Sequence, residues 1–488
     1  MRLSSASRTG EGTCDDRDRR YGTPIPDGNR RYGTPIPDGG LMRYERRGRV
    51  PAKRHVAFRE NGTLLTEEVM GFEGFSGNES ILYHLQSPCR ISELGPFEPI
   101  VRDEWVPQAH AHRLFDTRQV QDGGDPIRGR QLLMFNNDVE IGICRPSQEQ
   151  KYFYRNGEGD EVIFVHHGSG ELETTFGTLP YAERDYIVIP RGTIYRFRPA
   201  GDQLWLTFHT PGEIETPNRY RNRYGQLLEH APYSHRDFHP PTELLTHDDR
   251  AEFDLVVRVR GGYQHYKLDY HPLDVIGWDG YVYPYTFNVD DFEPITGRVH
   301  LPPPVHQTFQ GPNFVICSFC PRMLDWQEGA IPIPYNHSNL QSEEMIYYVS
   351  GEFGSRPGVD VGSITLHPSG LPHGPQPGLA EKSIGMKFTN ELAVMCDTFA
   401  PLKLTGLCGS LDDGRYALSW VDADRPADRA TQMATGNGAA VERATGDGAA
   451  TEGATGNDAA TEGATGNNAA TEGATGNNAA TEGATANV

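Results

Sequence analysis

A chain of 488 residues exceeds one ordinary domain, yet 36% hydrophobic and 23% charged residues with 55 Gly and 36 Pro describe a globular body diluted by something else. The net charge of −21 divides into +6 over residues 1–54, −7 over 421–488 and −20 between, and so acidic a body excludes non-specific binding to a phosphate backbone. No run of 18 apolar residues exists and the opening MRLSSASRTGEG has no apolar core, so neither a membrane span nor a secretory signal is expected, and the protein is expected to be cytoplasmic.

In chain order, residues 1–41 come first. They hold RRYGTPIPDG twice, at 19–28 and 30–39, too rich in Pro, Gly and Arg to bury a core; a disordered extension is predicted, with Met42 a natural start for the compact protein. Residues 42–290 and 291–425 have an all-β texture of short apolar runs such as EVIFVHH, DYIVIP and EEMIYYV between Gly and Pro turns. Segment 159–197 reads strand, tight turn, strand, loop, strand, Pro-x-Gly turn, strand, and segment 342–375 repeats that order. This layout predicts two cupin-like jelly-roll barrels, one per region. Residues 426–488 are a low-complexity tail, from about Ala434 a ten-residue repeat of the type AATEGATGNN, with too few large apolar side chains to stack. Seven cysteines, at 14, 89, 144, 317, 320, 396 and 408, are too scattered for a disulfide scaffold. Cys317 and Cys320 form a CxxC inside the apolar run NFVICSFC, which reads as a strand and not as a zinc or redox site.

Metal-ligand residue types converge in the second barrel: His337, Glu343, Glu344, His367 and His373, with His306 upstream. Two imidazoles and one carboxylate on one side of a cation make the facial set of non-haem Fe(II) oxygenases, which leaves positions open for an aromatic substrate and dioxygen. Side chains alternate along a strand, so Glu343 and Glu344 cannot both face the interior. Glu161 and Glu344 each stand seven residues before a turn glycine, Gly168 and Gly351, and that register points Glu344 inward. His367 and Asn339 are candidates for orienting a ligand or for plain packing. The first barrel has Tyr195 where the second has His373, and no His ahead of Glu161; His166 and His167 are adjacent and face opposite ways. That barrel is expected to be metal-free.

The segments GWDGYVYPYTFNVDDFEPITGRVHLPPPVHQTFQGPNFVICSFCPR (277–322), PYNHSNLQSEEMIYYVSGEF (334–353) and GSITLHPSGLPHGPQPG (362–378) resemble homogentisate 1,2-dioxygenase, over a span from about Met42 to Trp420. The resemblance implies two cupin-like barrels with Fe(II) in the second. It also implies conversion of homogentisate and dioxygen to 4-maleylacetoacetate, in tyrosine and phenylalanine breakdown. Carried over by residue, it gives iron ligands His337, Glu344 and His373, with His306 as general base and His300 as the fallback. Glu343 would keep the family's commoner spacing from the first His, and Glu344 makes it one residue longer. Phe353 stands where the family has a substrate-contacting Tyr, so substrate contacts are expected from His373 with Tyr335 or Tyr348. The family further implies trimers pairing into hexamers. Readings from other classes are a non-catalytic cupin binding or storage protein, a metal-dependent cupin isomerase, and a dioxygenase for another hydroquinone acid.

Overall fold

Runs of β-branched and aromatic residues between Gly and Pro turns fold as strands throughout, and no α-helix among the described residues exceeds six residues. The computed structural model describes residues 43–353 and 359–422. The duplicated leader, Met42, Cys14 and the repeat tail lie outside the described residues. Fifteen strands position the site. In chain order the first seven are β1 (Arg113–Asp116), β2 (Arg130–Phe135), β3 (Glu140–Cys144), β4 (Asp160–Thr174), β5 (Asp185–Ile189), β6 (Ile194–Thr210) and β7 (Tyr285–Asn288). The remainder are β8 (Gln307–Gly311), β9 (Phe314–Phe319), β10 (His337–Ser338), β11 (Glu343–Ser350), β12 (Ser363–His367), β13 (Pro372–His373), β14 (Leu392–Thr398) and β15 (Lys403–Thr405).

Two antiparallel sheets follow the same internal order. The first runs β7-β5-β4-β6-β3-β2-β15 along its central path, and the second runs β1-β12-β11-β14-β9-β8. Strands β5-β4-β6-β3-β2 thus correspond one for one to β12-β11-β14-β9-β8. The boundary expected at residue 290 is crossed in both directions. Strand β1, from the amino-terminal half, closes the edge of the second sheet against β12, and β15, from the carboxy-terminal half, pairs with β2 of the first. All described residues belong to one compact unit.

Alternation along the central strands shows where the cores lie. On β4, Val162 and Phe164 enter a large core common to both sheets, while Ile163 and Val165 enter a smaller one enclosed by the first sheet alone. On β11, Met345, Tyr347 and Val349 join the common core, and Ile346 and Tyr348 enter a core of the second sheet alone. Both faces of these strands are buried, which is why they read as near-continuous apolar runs. Tyr347 also crosses to the first sheet, its hydroxyl 2.7 Å from His166 Nδ1, while His167 faces Glu183 at the surface. The CxxC cysteines separate: Cys317 enters the second sheet's own core and Cys320 the common one. Neither belongs to a metal-competent cluster among the described residues.

Gly351 ends β11 at φ 96°, and a Cβ there would lie 2.2 Å from the backbone oxygen of Asn390. Gly370 also has a left-handed φ of 81°, but a Cβ there would meet open space. Urea unfolding should therefore show Gly351→Ala losing about 2–3 kcal/mol and Gly370→Ala about 1 kcal/mol, since only the first adds a backbone clash to the strain.

Candidate metal centre

The parity of β11 decides which glutamate can act. Glu344 shares the side of Ile346 and Tyr348, facing the second sheet's own interior. Glu343 faces the other way, where its carboxylate accepts from the Leu402 amide at 2.8 Å and burial raises its pKa. The inward glutamate is thus one residue further from His337 than the family spacing would have it.

His337 and His373 reach Glu344 by a different device. The two-residue strands β10 and β13 pair antiparallel with His337 directly opposite His373. Gly374 permits this approach, because a Cβ there would lie 2.5 Å from Asn336 Oδ1 and 2.8 Å from the Tyr335 carbonyl oxygen. Asn339 contributes through its backbone, its carbonyl accepting from the Gly370 amide at 2.8 Å and tying the His337 loop to the turn before His373. Potential ligand atoms of His337, Glu344 and His373 all lie within 4.8 Å of one another. His373 Nε2 is 3.6 Å and His337 Nε2 3.9 Å from the Glu344 carboxylate. Glu344 and His373 are buried, and the His337 side chain is 35% exposed, so the cluster opens on one side.

Glu344 is held by His367, its partner across the β11–β12 ladder. His367 Nδ1 lies 2.7 Å from Glu344 Oε1; an ionised carboxylate only accepts, which puts the imidazole proton on Nδ1. His367 Nε2 then accepts from the Tyr416 hydroxyl, 3.3 Å away. The His367 ring also stacks on His373, centroids 4.4 Å apart and planes at 11°, so one imidazole steadies two members of the cluster.

The other predicted residues fall in several places. Tyr335 is 43% exposed, its ring 5.9 Å from that of His337 and its hydroxyl 3.1 Å from His300 Nε2. His300 is therefore joined to the cluster through Tyr335. His306 is buried beside Phe319, with Nδ1 lacking a hydrogen-bond partner, and burial, with help from Arg322 and His300, pushes its pKa down to about 3. Such an imidazole is a poor proton acceptor near neutral pH. Tyr348 faces the interior, its hydroxyl 3.0 Å from Thr365 Oγ1 and its ring 4.7 Å from Phe353.

Three residues near the cluster carry no sequence signal that links them to it. His112, in the segment before β1, packs its ring against His367 and His373 at 5.4 and 5.8 Å and sets Nε2 3.0 Å from the Pro372 carbonyl oxygen. Tyr416 completes the His367 chain from the carboxy-terminal side. Asp397 lies opposite Glu344 on β14, its pKa pushed up to about 8 by burial and by the neighbouring carboxylate.

Two imidazoles and a carboxylate with their ligand atoms drawn together suit a divalent cation. His373 Nε2 supports the fit, since it is buried with no hydrogen-bond partner and points among the other donors.

An all-β protein with two matching sheets and a His-Glu-His centre in one of them is the class that the geometry defines. A family model described as the amino-terminal part of homogentisate 1,2-dioxygenase matches residues 136–289. A protein of Saccharolobus solfataricus, provisionally named a dioxygenase, is 40% identical over 384 residues, covering 78% of this chain and 99% of its own length. Homogentisate 1,2-dioxygenase of Nitrobacter hamburgensis is 28% identical over 59% of this chain and 67% of its own, and that of Rhodopseudomonas palustris is 28% identical over 70% and 78%. The chain belongs to the homogentisate 1,2-dioxygenase family. Among solved structures, a cupin 2 conserved barrel domain protein from Leptotrichia buccalis matches 60% of this chain and 98% of its own, at 9% identity and a TM-score of 0.28.

Glu344→Gln should lower bound metal, measured by elemental analysis, at least about tenfold. Glu343→Gln should leave metal content unchanged; the reverse pattern would move the ligand to Glu343.

Proposed function

We propose that this dioxygenase-family chain is an Fe(II)-dependent ring-cleaving enzyme that converts homogentisate and dioxygen to 4-maleylacetoacetate. The observation that carries the reading is the convergence of His337, Glu344 and His373 with His367 fixing the carboxylate. Iron held by these three residues would supply Lewis acidity to a ring hydroxyl and a meeting place for the ring and dioxygen.

The chain's own residues then have definable tasks. A free phenol has a pKa of about 10, so a base must take the proton from a ring hydroxyl as it binds. His300 is better placed for this than His306. It sits on the Tyr335 hydroxyl beside the cluster, while His306 is walled in beside Phe319; burial lowers the pKa of both, that of His306 to about 3. Tyr335, partly exposed at the open side, is the residue we assign to the substrate's acid group, because Tyr348 is buried in the sheet's interior. Phe353, Tyr348 and Ile346 form an apolar wall that keeps water from the reacting ring. His112 and His367 hold the His373 ring in place from two sides. The substrate is thus a small aromatic acid with dioxygen as co-substrate, and the working form is proposed to be a homo-oligomer. No helix among the described residues is long and apolar enough to cross a membrane.

An oxygen electrode with Fe(II)-loaded full-length protein should register uptake on adding homogentisate, with one ring opened per oxygen consumed. His300→Phe should keep its iron and lose about 10²–10⁴ in turnover, as expected for removal of a general base. His306→Phe should stay within a few-fold of wild type. If His306→Phe is the dead variant and His300→Phe turns over normally, the base is His306.

A further inference from the structure

Outside the metal centre, a row of charged side chains is buried where a small sheet meets the first sheet. The small sheet has four strands, in the spatial order Glu45–Gly48, Val275–Gly280, Glu79–His84 and Thr66–Gly71. Its Leu82 and Trp278 enter the common core, and the Trp278 indole donates to the Phe176 carbonyl at 2.7 Å. Alternation puts His84 on the same face as Leu82. Glu68 stands opposite Leu82 on the neighbouring strand, so it shares that face and lies diagonal to His84. Asp274 arrives from the other side, one residue before Val275, which pairs with His84.

The imidazole is held between two carboxylates. His84 Nδ1 is 2.7 Å from Asp274 Oδ1, and Nε2 is 3.0 Å from Glu68 Oε2. Asp274 Oδ2 also accepts from the Gln86 amide at 2.7 Å, and Glu68 Oε1 lies 3.8 Å from Arg155 Nη2. Arg155 belongs to the strand Phe153–Asn156, which pairs with β6 of the first sheet. The row Asp274, His84, Glu68, Arg155 therefore crosses from one sheet to the other. The His84 and Asp274 side chains are 4% and 1% exposed, so neither hydrogen bond is shared with bulk water. An ionised carboxylate only accepts, and a ring that donates from both nitrogens is an imidazolium. Charges then alternate along the row, which is what a buried charge requires of its neighbours.

We infer that His84 is an imidazolium at neutral pH, part of a charge row that fastens the small sheet to the first sheet and loosens when the ring loses its proton. Titration agrees with the geometry. Burial works against the charge on His84, but the bonds to Asp274 and Glu68 override it and raise the pKa from 6.5 to about 9. Burial likewise raises the Glu68 pKa, and His84 with Arg155 more than offsets it, leaving that carboxyl below its ordinary range. Tyr270 is the other titratable group beside Asp274, Glu68 and Arg155, and burial keeps its hydroxyl protonated. The inference concerns this junction and does not depend on what the metal centre does.

Thermal unfolding of the full-length protein tests it. An unfolded imidazole has its ordinary pKa, so the stabilisation is fully present below about pH 6.5 and is lost as the pH rises through about 9. His84→Gln combined with Asp274→Asn replaces the buried pair by amides and orphans neither charge. The wild-type midpoint should exceed that of the double variant by about 4 °C more at about pH 6 than at about pH 10. A gap that is the same at both, or wider at the higher pH, would overturn the assignment. Should the double variant not fold, nitrogen NMR of protein carrying isotope-labelled histidine decides. At about pH 8 wild type should show a ring with both nitrogens protonated, and Glu68→Gln, which removes one acceptor, should make that ring lose its proton at lower pH. No such ring, or none that Glu68→Gln moves, would equally overturn it.

Discussion

The site rests on one buried carboxylate. Glu344 gives up its hydration on entering the second sheet's interior, a cost of several kcal/mol that must be met by partners in place before any ligand arrives. His367 is the first such partner, directly opposite on the adjacent strand, and the two histidines of the β10–β13 bridge stand beside it. The ladder register therefore does chemical as well as structural service. A slip of one residue would bring Glu343 inward, release Glu344 to the common core, and separate both from His367. The Leu402 amide that receives Glu343 guards against that slip, because a second buried carboxylate is already satisfied where it stands.

The two sheets solve the same electrostatic problem in unlike ways. One sets the imidazoles of His337, His367 and His373 around its inward glutamate. The other sets the Arg130 guanidinium against its own. Around them, the common core joins the outer faces of both sheets, with Tyr347 against His166 and Tyr186 against Ser318 as polar ties across it. Neither sheet keeps an outer face for solvent in this region, so the candidate metal centre sits on a platform braced from behind by the other sheet.

Much of this was legible in the residues. The repeated order of strands, the seven-residue offset of Glu161 and Glu344 from their glycines, and the matching places of Tyr195 and His373 follow from a period of two and from turn chemistry, both local properties. The weakness of a spacing argument is equally local: counting from His337 favours Glu343, because a loop separates the two and loop length carries no parity. His306 is assigned as a base because the resemblance sets a His ahead of an apolar strand. The run PPPVH winds into a short 3₁₀ turn that seats His306 against Phe319, and His300 meets Tyr335. His112 and Tyr416 were beyond reach for another reason. They come to the cluster from segments remote in sequence, and no periodicity reports such a pairing.

The exchange of β1 and β15 between the halves has a consequence for how the chain is made. Strand β1 emerges from synthesis long before β12, roughly 250 residues later, can pair with it. Until then it is an open edge on an unfinished molecule, and the metal centre cannot close over His112. Because β15 is needed in turn to finish the edge of the first sheet, neither half reaches its final form alone. Such long-range closure predisposes a chain to slow folding and to trading strands between copies, so the topology that unites the halves also sets the kinetic hazard of its birth.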